Sequence, residues 1–146
     1  MKTLLIAAAL LAGTFTKSFA ANDLAVQPTV LNSFNTTFAS ATEVDWSRSE
    51  ELYKAVFLLN GQYVSAYFKE DGSIAAIARH ITATSLPMIL QTSLKNAYKS
   101  QWVTDVLEVT GENGLQYYAT IENADTKVVL KASSTTWSTY QKSRKD

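Results

Sequence analysis

Apolar and polar residues alternate through the stretch from Glu51 to Lys69, and Asn60-Gly61 interrupts the alternation once. An Asn-Gly pair between two alternating runs predicts a β-hairpin, because both central residues of the favoured turn need a positive φ. A two-residue turn also determines which residues lie opposite each other. The predicted apolar pairs are Tyr53 with Phe68, Ala55 with Ala66, and Phe57 with Val64. Because side chains alternate between the two faces of a strand, these residues share one face, which we expect to be the core.

The same pattern returns 64 positions later, in the stretch from Tyr117 to Ala132, with Ala124-Asp125 as the turn. The core pairs of this second hairpin would be Tyr117 with Ala132, Ala119 with Leu130, and Ile121 with Val128. Its opposite face would pair Tyr118 with Lys131, Thr120 with Val129, and Glu122 with Lys127. The apolar and polar residues separate more cleanly here and select the same face as core. Two hairpins in the same phase predict a tandem repeat.

A helical period precedes each hairpin. From Pro28, apolar residues recur at a spacing of three to four; they are Val30, Leu31, Phe34 and Phe38. A second helix is predicted with Ser85 as its cap and Pro87 in its first turn. Its buried stripe would contain Leu86, Leu90, Leu94, Ala97 and Tyr98, extended by Ile89 and Trp102.

Four further strands complete the predicted fold. They are Glu43 to Arg48, Ser73 to Arg79 with Ile74 and Ile77 on opposite faces, Val103 to Thr110, and a short last strand from Trp137 to Gln141. The charged residues from Lys142 to Asp146 would form a frayed tail. Short antiparallel strands with intervening helices are typical of α+β proteins. We therefore predict a tandem repeat of a helix plus three to four antiparallel strands, forming one continuous antiparallel sheet with two helices on one face.

The N-terminal segment has the features of a bacterial secretory signal peptide. Lys2 supplies a positive charge, Leu4 to Leu11 is apolar but too short to span a bilayer, and Ser18-Phe19-Ala20 is a small-x-small cleavage site. We expect residues 1–20 to be removed after Ala20, leaving a single domain, 21–146, made of half-units 28–82 and 83–141. The protein would then be periplasmic or secreted.

Charge and composition exclude several function classes. The full sequence has 13 basic and 13 acidic residues and no cysteine. This balance does not favour a nucleic-acid partner, no later apolar run predicts membrane insertion, and stability must come from core packing without disulfides.

The face of each hairpin opposite its predicted core is the candidate binding surface. The ten residues on it are Lys54, Val56, Leu58, Tyr63, Tyr67, Tyr118, Thr120, Lys127, Val129 and Lys131. Tyrosine is enriched among binding hot spots, and lysine occurs in the rim of interfaces. The alternative is that tyrosine and β-branched residues occur here because they favour strands. Self-association would also cover such a face.

Candidate catalytic or metal-binding groups are sparse. His80 is the only histidine, which is poor support for a zinc site or a Ser-His-acid arrangement. Glu70-Asp71-Gly72 alone lacks the six to eight oxygen ligands that calcium requires, so we expect a hairpin turn there. The carboxylates of Glu43, Asp45, Glu50 and Glu51 are interpreted as a solvated acidic edge. We predict no catalytic residue, metal or cofactor.

Several short motifs occur in the order found in a known family. They are Phe34 and Phe38 on a helix, Val44-Asp45-Trp46, Tyr53-Lys54-Ala55-Val56-Phe57, Asp71-Gly72 and Leu86-Pro87. With these motifs the chain resembles the PepSY-like, beta-lactamase-inhibitor-like (BLIP-like) family of secreted bacterial proteins. Ser134-Thr135-Thr136 stands where the family pattern has an Asp-Gly turn, so the resemblance gives no support for the last strand. The resemblance implies helix-plus-sheet units, no catalytic residues, and fold relatives that include protein inhibitors of peptidases and of beta-lactamase.

These observations favour a non-enzymatic periplasmic or secreted protein that binds a protein or peptide through the open sheet face, with inhibition as one form of such binding. A small-molecule carrier or small enzyme with a cleft between helix and sheet is one alternative. A structural envelope protein that associates with itself is another.

Overall fold

The computed structural model describes residues 24–146, so the predicted signal peptide and its cleavage site lie outside the described residues. The chain divides into two compact units, the first ending at Ala78 and the second beginning at Arg79. The predicted half-units divide after residue 82 instead. Within each unit the hydrogen-bonded strand order follows chain order, and the protein is α+β. The equivalence of the two units as a tandem repeat stays a prediction.

The first unit begins with one helix, and strands follow it. Its elements are α1 (Pro28–Thr37), β1 (Thr42–Ser49), β2 (Leu52–Leu59), β3 (Gln62–Phe68) and β4 (Ile74–His80), the last of which runs past the unit boundary. Phe34 of α1 lies edge-on to Phe57 of β2, with ring centroids 5.1 Å apart. Phe38, just after the helix, lies tilted against the same ring, with centroids 4.7 Å apart. The core of this unit therefore lies between α1 and the predicted apolar face of the first hairpin.

The register of the first hairpin is confirmed throughout. Phe57 pairs with Val64, Ala55 with Ala66, and Tyr53 with Phe68. Asn60 and Gly61 have φ values of 52° and 78°, which is the left-handed pair that a two-residue turn of this type requires.

A close backbone contact connects α1 to the loop between β3 and β4. Gly72 has φ 85°, and a Cβ at this position would lie 2.8 Å from the carbonyl oxygen of Thr29 in α1. Thr29 in turn donates its hydroxyl to the carbonyl oxygen of Glu70 at 3.2 Å. Glycine is therefore needed here both for its conformation and for its lack of a side chain.

The second unit has a 3₁₀ turn, one α-helix and four strands. They are Ala83–Ser85, α2 (Met88–Ala97), β5 (Trp102–Gly111), β6 (Gly114–Glu122), β7 (Thr126–Ser133) and β8 (Thr136–Arg144). Its core contains Leu90 and Leu94 of α2 packed against Ala119 and Ile121 of β6 and Leu130 of β7. The predicted pairs Ile121 with Val128 and Ala119 with Leu130 are confirmed. Each helix thus covers the apolar face of its own hairpin.

The start of α2 differs from the prediction. Ser85 does not cap the helix; it ends the 3₁₀ turn, and Pro87 takes the N-cap position of a helix that begins at Met88. Leu86 is buried before the helix begins. Ile89 is 52% exposed and Trp102 is 65% exposed, so the predicted extension of the buried stripe is wrong. Ala97, predicted in the stripe, is also exposed, so within the helix only Leu90 and Leu94 are buried. Leu86 before the helix and Tyr98 after it pack against the same core, as predicted.

Two strand predictions also need correction. Ile74 and Ile77 both pack against the core of the first unit, although strict alternation over three residues would place them on opposite faces. Ala75 and Ala76 between them are both buried, so burial alone does not separate the two faces of this strand.

The last strand is longer than predicted. It forms as Thr136–Arg144 and so includes most of the stretch expected to be a frayed tail. Ser134, at φ 50°, allows the tight turn that precedes it, where the family pattern led us to expect Asp-Gly. The Lys145 backbone N–H then donates to the Asp125 carbonyl oxygen at 2.9 Å.

Candidate functional site

The candidate surface is the reverse face of each unit, by which we mean the side of its strands opposite its helix-covered core. In the first unit, strand register places three cross-strand rows there. They are Ser47–Lys54–Tyr67, Asp45–Val56–Ser65, and Thr42–Leu58–Tyr63. The structure thus brings together the five first-unit residues predicted from sequence.

Exposure differs strongly within this set. Tyr63 is 49% exposed, and Lys54, Val56 and Leu58 are half-buried. Tyr67, in contrast, is only 1% exposed. Four of the five residues can therefore meet a partner, whereas Tyr67 is part of the folded interior.

Tyr67 is chemically unusual because its hydroxyl is buried and has no hydrogen-bond partner among the described residues. Burial raises the pKa of this phenol well above its ordinary value. A buried polar group without a partner costs free energy, so it is a feature that needs a reason. Sequence pattern could not identify it, since Tyr63 and Tyr67 occupy equivalent positions in the same alternating strand.

Lys54 lies directly opposite Tyr67, with its Nζ 5.7 Å from the centroid of that ring. This distance is within the range of a cation–π contact. Burial lowers the pKa of Lys54. Within residues 24–146 no carboxylate forms an ion pair with it. Lys54 is therefore a partly desolvated cation in contact with the face of a neutral ring.

Glu43 joins this face at its other end, which the sequence did not indicate. The Tyr63 hydroxyl donates a hydrogen bond of 2.5 Å to Glu43 Oε2. This bond, followed by the charge of the carboxylate, raises the pKa of Tyr63. Glu43 has φ 52° and lies where the β1–β2 register shifts between Thr42 and Asp45. Such bulges redirect a side chain, and here the strained residue belongs to the candidate surface.

The reverse face of the second unit is more densely packed. Tyr118, Thr120 and Val129 are buried, whereas Lys131 is half-buried and Lys127 is exposed. The Tyr118 ring meets Tyr140 of β8 at 5.4 Å. Burial, and then the proximity of Tyr140, raises the pKa of Tyr118. Three of the five second-unit residues predicted for the surface are therefore inside the fold.

A charged cluster lies at one end of the second unit. The predicted Glu122–Lys127 pair is present at 3.8 Å, but Lys145 approaches Glu122 more closely, at 2.6 Å. The hydrogen bond from Lys145 is the main cause that lowers the pKa of Glu122. This cluster connects the end of the chain to the second hairpin.

Titratable groups elsewhere form local pairs. Arg79 donates to Glu108 at 2.6 Å, which raises the pKa of the arginine, and His80 Nδ1 lies 2.7 Å from Asp105. Asp71 accepts hydrogen bonds from both the hydroxyl and the backbone N–H of Ser73, which lower its pKa. Over residues 24–146, no three histidine or acidic side chains gather as a metal site.

Comparison with known proteins gives a fold but no close relative. No protein-family model matches the chain, and no curated protein sequence matches it. A BLIP-like protein from Bacteroides fragilis superposes with a TM-score of 0.70 at 17% identity, over 84% of this chain and 89% of its own. A DUF2874 family protein from Bacteroides uniformis gives a TM-score of 0.72 at 19% identity, over 81% of this chain and 88% of its own.

A third solved structure is described as a candidate periplasmic protein from Bacteroides eggerthii. It gives a TM-score of 0.73 at 14% identity, covering 82% of this chain and 89% of its own. The resemblance drawn from the sequence motifs is confirmed at the level of the fold, which is that of BLIP-like and DUF2874 proteins. Neither described helix, each of ten residues, has the length and hydropathy needed to cross a membrane.

Proposed function

We propose that this chain is a non-enzymatic binding protein of the bacterial cell envelope, and that it holds a protein or peptide on the reverse face of its first unit. The observation that carries the proposal is the contrast in exposure between the two faces. Phe57 and Ala55 are fully buried under α1, while Tyr63 on the other face is 49% exposed beside half-buried Val56 and Leu58.

The composition of this face supports protein binding. A tyrosine that keeps a large ring partly in water gains contact area at low entropic cost when a partner covers it. Leu58 and Val56 supply an apolar centre, and Lys54 and Glu43 supply charge at its two ends. An apolar centre with a polar rim is the usual anatomy of a protein interface.

A periplasmic or secreted location fits this function. The sequence predicts a signal peptide before Ala21, and one of the structural neighbours is described as a candidate periplasmic protein. Inhibition of an enzyme is one form that the binding could take, because another neighbour is described as BLIP-like. At 17% identity no inhibitory residue can be transferred from that protein to this chain.

The test is affinity capture from the native envelope with the wild-type protein and with Tyr63→Ala. Tyr63 is the suitable position because its exposure makes the substitution compatible with folding. Leu115→Ala is a matched control, since Leu115 is 50% exposed but lies in the other unit. We expect Tyr63→Ala to reduce recovery of the partner at least fivefold and Leu115→Ala to leave it unchanged.

Equal recovery by wild type and Tyr63→Ala would contradict the proposal. Tyr67 and Tyr118 are unsuitable for this test because both are buried, so truncation there would disturb the fold and confuse the result. The melting temperature of each variant should be measured in parallel, so that loss of capture is not read from a destabilised protein.

A further inference from the structure

The reverse face of the first unit is electrically polarised. Lys54 lies toward one end of β2 and the Glu43–Tyr63 pair toward the other, where Leu58 is directly opposite Tyr63; Val56 lies between the two ends. Lys54 and Leu58 are four residues apart on one strand, which is roughly 13 Å at the usual rise of a strand. Asp45 of β1 is exposed on the same face, opposite Val56 in the middle row. The positive charge of Lys54 thus lies at one end of β2 and the Glu43 carboxylate lies at the other.

Among residues 24–78, neither charged end of this face forms an ion pair. Lys54 is in contact with the neutral ring of Tyr67, and no ion pair of Lys54 occurs in the part of the chain that the structure describes. The Glu43 carboxylate accepts its hydrogen bond from the neutral phenol of Tyr63. A half-buried cation without a counterion gains most from an external carboxylate, because water screens the pair only partly.

We propose that a second copy of this chain covers the first-unit reverse face, with Lys54 of each copy against the Glu43 end of the other. A surface with opposite charges at its two ends is complementary to a second copy of itself. The two-fold axis of such a contact lies in the contact plane, perpendicular to the strands, and passes midway between the two charges. In such an isologous contact the Lys54–Glu43 pair forms twice, Val56 meets its own counterpart at the axis, and Leu58 faces the Lys54 end of the other copy. Asp45, which is level with Val56, faces its own counterpart, and this like-charge contact weakens the association. This inference rests on the proposed function, because it assigns an occupant to the same surface when no other partner is bound.

The area available makes the association weak and reversible. Three strands about 4.8 Å apart and seven residues long at about 3.4 Å each cover roughly 340 Å² of one copy. A stable interface needs about 800 Å² from each partner. The contact therefore belongs to the transient class, in which charge pairs set orientation and dissociation is fast. A partner with a larger contact surface would displace the second copy.

The test is sedimentation equilibrium of the full-sequence protein from about 0.01 to 1 mM, the range in which a contact of this size would populate dimers. We expect the wild-type average mass to rise with concentration, and the rise to shrink as salt screens the charges. Lys54→Glu and Glu43→Lys should each weaken dimerisation at least tenfold, because each places like charges together. The double variant with both charges exchanged should return to within about threefold of wild type. Lys99→Glu, a charge reversal at an exposed site outside this face, is the control and should change nothing.

Three results would overturn the inference: a wild type that is monomeric at the highest concentration, single reversals that leave dimerisation unchanged, or a double variant that fails to recover. The exchange variant also guards against misfolding, since a protein that regains dimerisation has kept its fold. A monomeric wild type whose capture of an envelope protein still depends on Tyr63 would remove the second copy as occupant and leave the proposed function in place. A salt-sensitive dimer without Tyr63-dependent capture would support the second copy as occupant and contradict the proposed binding of an envelope protein.

Discussion

The buried hydroxyl of Tyr67 makes a sharp prediction about stability. The residue is 1% exposed, and its hydroxyl has no hydrogen-bond partner among the described residues. In the unfolded chain the same hydroxyl is hydrated, so folding removes a hydrogen bond to water and replaces it with none. Tyr67→Phe deletes only that oxygen and keeps the ring. We therefore expect the variant to be more stable than the wild type, which is unusual for a substitution in a protein interior.

The magnitude follows from the cost of leaving a buried polar group unsatisfied. That cost is about 1–3 kcal/mol, and removing the group recovers much of it. A gain of about 1 kcal/mol in the free energy of unfolding would raise the melting temperature by about 3–6 °C for a domain of this size. Tyr118→Phe is the matched control, because Tyr118 is also buried on a reverse face but its hydroxyl is not an unsatisfied buried atom. Its stability should stay within about 0.5 kcal/mol of the wild type.

A second signature appears at alkaline pH. Burial raises the pKa of Tyr67 in the folded state, so the unfolded chain releases this phenolic proton first as the pH rises. The stability that Tyr67 contributes is complete below the unfolded pKa of about 10 and falls above it, by about 1.4 kcal/mol per pH unit. Tyr67→Phe removes this slope, so its advantage over the wild type should grow between pH 10 and 11.

Urea denaturation followed by circular dichroism at pH 7, 10 and 11 measures both effects, with the slope of each transition used to check that compactness is unchanged. A Tyr67→Phe variant equal to or less stable than the wild type at pH 7 would refute the reasoning. It would mean that the hydroxyl is satisfied in solution, by a buried water for example. Stabilisation at pH 7 without the alkaline effect would contradict the raised pKa of Tyr67, because the phenol would then ionise as readily in the folded protein as in the unfolded chain.

Three further predictions concern the rest of the fold. Gly72→Ala should lower the free energy of unfolding by about 2 kcal/mol or more, because the new Cβ combines a positive φ with a contact of 2.8 Å to a carbonyl oxygen of α1. Gly114→Ala has a positive φ but open space and should cost about 1 kcal/mol. Urea denaturation compares the two variants, and equal losses would contradict the steric argument. Trp137→Phe should lose about 1 kcal/mol, since its Nε1–H donates to a carbonyl oxygen of α2 at 3.0 Å, and an unchanged midpoint would show that this bond adds nothing. Lys145→Met should raise the pKa of Glu122 toward its unfolded value, because the hydrogen bond from Lys145 is the main cause that lowers it. As acid is added, the variant should therefore lose the stability contributed by this carboxylate at a higher pH than the wild type does. Carboxyl NMR titration measures the pKa, and an unchanged value would contradict the assigned cause.

Much of the fold could be predicted because its signals are local. Asn60-Gly61 specifies a turn geometry, and the alternation on either side of it specifies which face is apolar. Because a slip of one residue would move every side chain to the wrong face, the register of both hairpins follows from these signals. The spacing of Val30, Phe34 and Phe38 predicted helix α1 in the same way, although Leu31, expected on the same side, is 37% exposed.

The predictions failed where the controlling interaction was not local. Ser85 carries a good capping side chain, but Leu86 precedes a proline and is therefore held in extended backbone, with φ −65° and ψ 152°. The helix consequently begins only at Met88. Ile74 and Ile77 could not be assigned by alternation, because neighbouring alanines fit either face of a strand.

The sequence by itself determined the two hairpins, the face of each that forms the core, and the helix that covers it, because period and turn chemistry act between residues close in the chain. Only the tertiary structure decided which reverse-face residues stay in water. Tyr63 and Tyr67 have the same chemistry and the same strand phase, yet one is half exposed and the other is buried. Glu43 reaches Tyr63, two strands away, from a bulge in β1. Burial and bulges depend on elements that are distant in sequence, and the alternation of a single strand carries no information about them.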